Sequence, residues 1–242
     1  MEEFFTKDYT GAPFTLFDSA HLAALAVVFL VNVLVIVLRK RFSPRGKNIF
    51  RITLAVVLVV NETAWHLWNV FTGQWTIQTM LPLHLCSVLV WTNAYMLFTR
   101  NYFLYQFAYL LGIAAAIQAL LTPDAGIYGF PHFRAFQTFI SHGSIVLSGI
   151  YMTFVEGYRP TWKSVGQIAL WGNVYLAVIF VLNQLIGSNY LFVAHKPETA
   201  SLMDMLGPWP LYILWLELIA LVLCLLLYLP FAIRDGHKAR QA

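Results

Sequence analysis

The stretch Leu81-Pro82-Leu83-His84-Leu85-Cys86-Ser87 stands at the head of an otherwise apolar run that extends from about Met80 to Phe98. A helical run of this length can cross a bilayer, because about 20 residues at a rise of about 1.5 Å span the ~30 Å hydrocarbon core. Ionisable side chains at membrane depth are costly, so His84 and Cys86 are candidates for a functional site. Their partners are expected on other apolar segments.

The composition indicates a membrane protein. The 242 residues are 60% hydrophobic and 11% charged, and the mean hydropathy is +0.68. Soluble domains carry about 25% charged residues, so we predict an all-α, polytopic membrane protein that forms one domain over residues 1–242. The net charge of +4 does not indicate nucleic-acid binding, because the basic residues flank the apolar segments. Cys86 and Cys224 lie in different apolar segments and suggest no disulfide framework.

Seven apolar segments predict a bundle of seven transmembrane helices. Twelve of the fifteen Lys and Arg residues lie on one side of this arrangement, and only Lys7, Arg134 and Lys196 lie on the other. The positive-inside rule therefore predicts an outside N-terminus and an inside C-terminus. The predicted helices span roughly Ala20–Leu38, Ile49–Phe71, Met80–Phe98, Tyr102–Leu121, Phe133–Val155, Val165–Ile186 and Trp209–Ile233.

With this orientation, polar side chains from six helices fall in the outer half of the predicted bundle. Glu62 and His66 are four residues apart and share a helix face. Such a layer indicates a polar cavity, with the outer loop from Gly187 to Pro208 as a candidate lid. The candidate catalytic residues are His84, His142 and Cys86; the candidate substrate-binding or orienting residues are Glu62, His66, Gln118, Asn183, Asp204 and Glu217.

Each of these residues also has a purely structural interpretation. Membrane cysteines often pack as small apolar side chains, and positions two apart on a helix, such as His84 and Cys86, point about 200° apart. Glu62 and His66 could form a neutralised structural pair on one helix. His142 could be satisfied by an interhelical hydrogen bond, and Glu217 could be protonated and bonded to a neighbour. Histidine and glutamate could also ligate zinc, but no compact zinc motif is present, so we predict no metal and no cofactor.

Three blocks of the sequence resemble the YwaF-like bacterial integral membrane proteins. The blocks are Leu81–Ser87, Phe139–Gly143 and Asp204–Pro210, and the seven-helix plan agrees over nearly the whole chain. The resemblance implies a multi-pass protein of the bacterial plasma membrane. This family is distantly similar to a eukaryotic transmembrane acyltransferase that remodels ether phospholipids, and to the androgen-induced membrane hydrolases.

The resemblance also implies roles for individual residues. In the distant relatives, a Cys or Thr nucleophile on one helix works with a histidine on another. His142 matches the partner histidine, and His84 matches the histidine beside the nucleophile. In the acyltransferase branch a cysteine directly precedes that histidine, whereas here Leu83 occupies the position and the nearest thiol is Cys86. Either Cys86 acts from a shifted position, or covalent acyl transfer does not carry over.

Two functions therefore compete. In the first, the protein is an acyltransferase or lipid-ester hydrolase whose partners are membrane phospholipids or other acyl lipids, with His142 or His84 as general base. In the second, the cavity binds a small solute or protons for transport, since proton relays also use intramembrane Glu and His. A structural role is the third alternative. The sequence does not predict the oligomeric state.

Overall fold

The computed structural model describes residues 2–197 and 202–239, and this part of the chain is helical without strands. A short helix, α1, precedes seven long ones. Two 3₁₀ turns, Tyr190–Phe192 and Leu202–Leu206, lie in the last long connection. The helices are α1 (Glu2–Phe5), α2 (Ser19–Leu38), α3 (Pro44–Phe71), α4 (Leu85–Thr99), α5 (Tyr102–Leu121), α6 (Phe133–Phe154), α7 (Trp162–Ile186) and α8 (Leu211–Ala239).

Among the described residues, five helices are long and apolar enough to cross a membrane, namely α2, α3, α5, α7 and α8. The apolar helix α4 is shorter, with 15 residues, and α6 is not among the five. The all-helical class and the membrane character are thereby confirmed. Membrane crossing by α4 and α6, and the sidedness of the termini, stay predictions.

The start of α4 differs from the sequence-based boundary. The helix begins at Leu85 rather than at Met80, so His84 precedes it. The backbone N–H of Leu83 donates to the carbonyl of Leu81 at 2.7 Å, which forms a tight turn around Pro82. Proline has no N–H and disfavours helical geometry in the residue before it, so the apolar run enters its helix late. Likewise, α8 begins at Leu211, after the prolines that flank Trp209.

The chain divides into two compact units. The first comprises Met1–Trp75 and Leu89–Tyr158, and the second comprises Thr76–Val88 and Arg159–Ala242. The single domain over residues 1–242 stays a prediction.

In the first unit, α6 packs against α2, α3 and α5. Its inward face is fully buried at Ala135, Ile145, Tyr151 and Met152. Gly149 lets α6 approach the π-helical turn Ala108–Gly112 of α5, because a Cβ at this glycine would lie 3.0 Å from the carbonyl oxygen of Ala108. A near-continuous buried face therefore makes α6 the central helix of this unit.

The two ends of the first unit are closed by side chains that bind backbone carbonyls. At one end, buried Arg51 donates to the carbonyls of Leu97 and Phe98 in the last turn of α4. At the other, Trp68 Nε1 donates to the Phe5 carbonyl at 2.7 Å and His132 Nε2 to the Thr6 carbonyl at 2.9 Å. The carbonyls at the end of a helix lack intrahelical partners, so Arg51 supplies donors that α4 itself does not have.

The second unit packs around a core of Ile179, Tyr190 and Val193. The hydroxyl of Tyr190 donates to the Ile77 carbonyl at 2.8 Å and accepts from the Leu81 N–H at 2.8 Å. This loop thereby positions the segment that contains His84. Part of the predicted lid, residues 198–201, lies outside the described residues.

Candidate functional site

The candidate residues fall into two groups, one in each unit. Glu62, His66, Gln118 and His142 belong to the first unit. The second unit contains His84, Cys86, Asn183, Asp204 and Glu217.

In the first unit, Glu62 and His66 lie side by side on α3. Glu62 is 3% exposed, and its Oε1 lies 3.7 Å from Nε2 of His66. Trp75 Nε1 donates to His66 Nδ1 at 3.1 Å, so a neutral imidazole carries its proton on Nε2, facing the carboxylate. The protonated Nε2 of His66 is therefore the atom nearer Glu62, at a distance longer than a hydrogen bond, and the two side chains share a helix face.

His142, on α6, has the opposite tautomer. Its Nδ1 lies 2.8 Å from the carbonyl of Thr138, an acceptor, so the proton is on Nδ1. No hydrogen-bond partner for Nε2 lies within residues 2–197 and 202–239. The neutral imidazole thus presents a lone pair on Nε2, which is the atom a general base needs.

Arg134 is not among the residues predicted from the sequence. It lies four residues before Thr138 and eight before His142, so the three share one face of α6. Its guanidinium carbon is 4.0 Å from the centroid of the Trp65 ring, and Nη1 donates to Gln137 Oε1. The charge of Glu62 acts on Arg134, and that of Arg134 acts on His142. The spacing of 134, 138 and 142 on one predicted helix was the sequence signal that could have identified it.

We define the α3–α6 polar cluster as Glu62, Trp65, His66, Arg134 and His142. Gln118 does not belong to this cluster. It is exposed on α5, and its backbone carbonyl accepts from the hydroxyl of Thr122 at 3.1 Å.

In the second unit, His84 packs against the loop after α7. Its Nδ1 accepts from the N–H of Leu191 at 3.4 Å. The centroid of its ring lies 5.1 Å from that of the Tyr190 ring and 5.3 Å from that of the Phe192 ring. A neutral His84 therefore carries its proton on Nε2 and is a donor through that atom. Cys86 lies partly buried in the first turn of α4.

The other candidates of the second unit have different surroundings. Buried Asn183 bonds to the backbone of Tyr190 and to the Ser188 hydroxyl. Asp204 is exposed, and its Oδ1 lies 3.8 Å from Lys196 Nζ. Glu217 is partly buried on α8. No group of three or more His, Cys, Asp or Glu side chains that could hold a metal ion occurs in the described part of the chain.

An apolar groove of about 550 Å³ lies between α2 and α6 in the first unit. Its walls include Val28 on α2 and Phe139, Ile140 and Gly143 on α6. Because successive helical residues turn by about 100°, these α6 positions face away from Arg134, Thr138 and His142. Asn32 also lines the groove, and its Oδ1 is buried without a hydrogen-bond partner among the described residues.

Comparison with known proteins identifies the family. No curated protein and no solved structure matches this chain. The model of the TMEM164 family matches residues 16–228, which cover all the helices from α2 to α7 and most of α8. The resemblance to YwaF-like bacterial proteins, and with it the bacterial plasma membrane, stays a prediction. The chain is an integral membrane protein that belongs to the TMEM164 family.

Proposed function

We propose that this protein is an enzyme that acts on the acyl esters of membrane lipids, with His142 as its general base. The observation that carries the proposal is the hydrogen bond from His142 Nδ1 to the Thr138 carbonyl, which leaves the lone pair on Nε2. A side chain held in this tautomer, inside a membrane protein, can accept a proton without first losing one.

The simplest reaction is hydrolysis. His142 Nε2 takes a proton from water while the water oxygen forms a bond to the ester carbonyl carbon. The tetrahedral intermediate then breaks its bond to the alkoxy oxygen, and the imidazolium returns the proton to that oxygen. The products are a fatty acid and a lysolipid. In the transfer version that the family resemblance implies, an acceptor alcohol replaces water. His142 takes the proton of the alcohol while its oxygen forms the new ester bond, and the lysolipid then leaves with the proton that the imidazolium returns.

The groove between α2 and α6 supports contact with acyl chains. It runs from Ala20 to Asn32 along α2, a rise of about 18 Å at about 1.5 Å per residue. This length is close to half of the ~30 Å hydrocarbon core, which is the depth of one leaflet. Because the groove is on the other face of α6, we assign it to a chain that is held rather than to the ester that reacts.

The test is lipid turnover by the purified full chain in lipid nanodiscs. We expect His142→Ala to lower the release of lysolipid by 10²-fold or more, the usual contribution of a general base. Gln167→Ala, at an exposed position of α7, serves as the matched control and should retain turnover. Cys86→Ser tests separately whether turnover requires that thiol, as the family resemblance implies. Turnover that survives in folded His142→Ala would refute the proposal.

Transport is the second candidate, and the contact between Glu62 and His66 favours it. A buried carboxylate 3.7 Å from an imidazole is an arrangement that proton relays use. This candidate predicts proton or solute flux in liposomes that Glu62→Gln reduces, with Glu217→Gln as a second variant. Flux without lysolipid release would favour it over the enzyme.

A further inference from the structure

Arg134 has more hydrogen-bonding capacity than the protein uses. A guanidinium has five N–H donors, and within the described residues the Arg134 side chain makes one hydrogen bond, to Gln137 Oε1. Its other nitrogens are not among the buried atoms that lack partners, so they border accessible space. A membrane protein that keeps a partly buried arginine in this state has donors available for a ligand.

The orientation of the guanidinium favours an anionic ligand that presents two oxygens. Trp65 covers one face of the group at 4.0 Å, which leaves its edge for hydrogen bonds. The edge of an arginine matches two oxygens of a phosphate or carboxylate, whereas a lysine offers only a point charge. Stacking on Trp65 also limits the rotation of the side chain, so less entropy is lost when an anion binds.

Arg134 forms no ion pair within the described residues. Glu62 and exposed Asp124 act on it electrostatically. Glu62 Oε1 lies 3.7 Å from Nε2 of His66. Arg134 and His142 lie eight residues apart on the same face of α6. A bound anion would therefore give Arg134 an ion-pair partner on the face of α6 that carries His142.

We propose that Arg134 binds the phosphate group of a phospholipid and holds the headgroup beside His142. This inference deepens the proposed function, on which it rests for the identity of the reacting lipid. Arg134 is a substrate-binding residue in this scheme, and Trp65 positions its guanidinium. The same phosphate chemistry could come from inorganic phosphate, so the experiment separates the two sources.

The experiment measures binding, so that it does not depend on turnover. Full-length protein in detergent is titrated with dihexanoyl phosphatidylglycerol, with dihexanoylglycerol, which lacks the phosphate, and with inorganic phosphate, and bound ligand is counted by native mass spectrometry. We expect the phospholipid to bind at least tenfold more tightly than dihexanoylglycerol and inorganic phosphate to compete weakly. Arg134→Gln should remove this preference, and Arg134→Lys should retain only part of it.

Arg39→Gln is the matched control, because Arg39 is exposed and bonds to a backbone carbonyl of its own helix. It should bind the phospholipid like the wild type, and His142→Ala should do the same while losing turnover. Equal phospholipid binding by wild type and folded Arg134→Gln would overturn the inference. Inorganic phosphate that binds Arg134 as tightly as the phospholipid would overturn the lipid assignment. If phospholipid binding depends on Arg134 but no turnover is found, the proposed enzymatic function is refuted and the binding inference stands.

Discussion

At the residue scale, Asn183 joins α7 to the loop that follows it. Its side chain accepts from the Tyr190 N–H at 2.9 Å and donates to the Tyr190 carbonyl at 2.9 Å. The Ser188 hydroxyl donates to the same Oδ1 at 2.7 Å. From its expected depth, Asn183 is predicted by the sequence to orient substrate. These contacts instead use both polar atoms of its amide within the protein.

Replacing Asn183 should therefore weaken the fold. Asn183→Leu leaves the buried backbone groups of Tyr190 without partners, at about 1–3 kcal/mol each, so we expect a loss of about 2–4 kcal/mol in unfolding free energy. The measurement is denaturant unfolding in detergent. Gln184→Leu, at the exposed neighbouring position, should change stability by less than about 0.5 kcal/mol. Equal effects of the two variants would contradict this role.

His132 gives the fold a dependence on pH. Burial lowers the pKa of this histidine below its ordinary value, while its hydrogen bond to the Thr6 carbonyl acts in the opposite direction. Its Nδ1 accepts from the Arg134 N–H at 3.1 Å, a bond that only the neutral ring can make. The folded protein thus favours the neutral form of His132.

Because the folded pKa of His132 is lowered, the unfolded chain takes up a proton at a higher pH than the folded one. The stability contributed by the neutral ring is complete above about pH 6.5, the ordinary pKa of histidine, and decreases as the pH falls below it. We expect His132→Asn to reduce the loss of unfolding free energy between pH 7 and pH 5. His195→Asn, at an exposed position, should keep the wild-type pH profile. An unchanged profile in His132→Asn would contradict the assignment.

At the scale of elements, α6 can approach α5 closely because Gly149 has no side chain. A Cβ at Gly149 would lie 2.9 Å from Cδ1 of Ile113 and 3.0 Å from the Ala108 carbonyl oxygen. Both distances are shorter than ordinary van der Waals contact, and one neighbour is backbone, which cannot rotate away. Small residues have this role wherever two membrane helices approach closely.

A matched pair of glycine substitutions tests this packing. Gly149→Ala should destabilise the protein by about 1–3 kcal/mol through overpacking. Gly172→Ala places its Cβ where nothing lies within 4 Å, and in a helix interior it should stabilise by up to about 1 kcal/mol. Thermal unfolding of the two variants in the same detergent measures the difference. Stabilisation by Gly149→Ala would show that the helices are not in close contact.

At the scale of the whole molecule, the number of membrane crossings decides which loops share a side. Seven crossings place the α5–α6 loop outside, whereas five, without α4 and α6, place the same loop inside. The loop between α6 and α7 is inside in both cases. Helix length and hydropathy favour five spans, and the distribution of Lys and Arg favours seven.

Labelling of single cysteines distinguishes the two topologies. In a background with Cys86→Ser and Cys224→Ser, exposed Ile127 and exposed Trp162 are replaced by cysteine in turn. We expect an impermeant maleimide added to intact cells to label Ile127→Cys and to leave Trp162→Cys unlabelled until the membrane is opened. Protection of both positions would support five crossings.

The sequence by itself determined the helical class, the membrane character and the positions of the long apolar segments. These properties follow from composition and from hydropathy over about 20 residues, which need no knowledge of neighbours. It also predicted that Glu62 and His66 share a helix face, because a spacing of four residues is a local property. The late start of α4 could have been anticipated from Pro82, but local propensity alone does not locate the first helical residue.

Only the tertiary structure decided which polar side chains act on one another. It gave His142 its proton on Nδ1, placed Arg134 against Trp65, and used the amide of Asn183 to hold a loop. These outcomes depend on which donor lies within hydrogen-bond reach of which acceptor after the helices have packed. Hydrogen bonds require partners within about 3 Å, and sequence spacing defines such distances only within one helix.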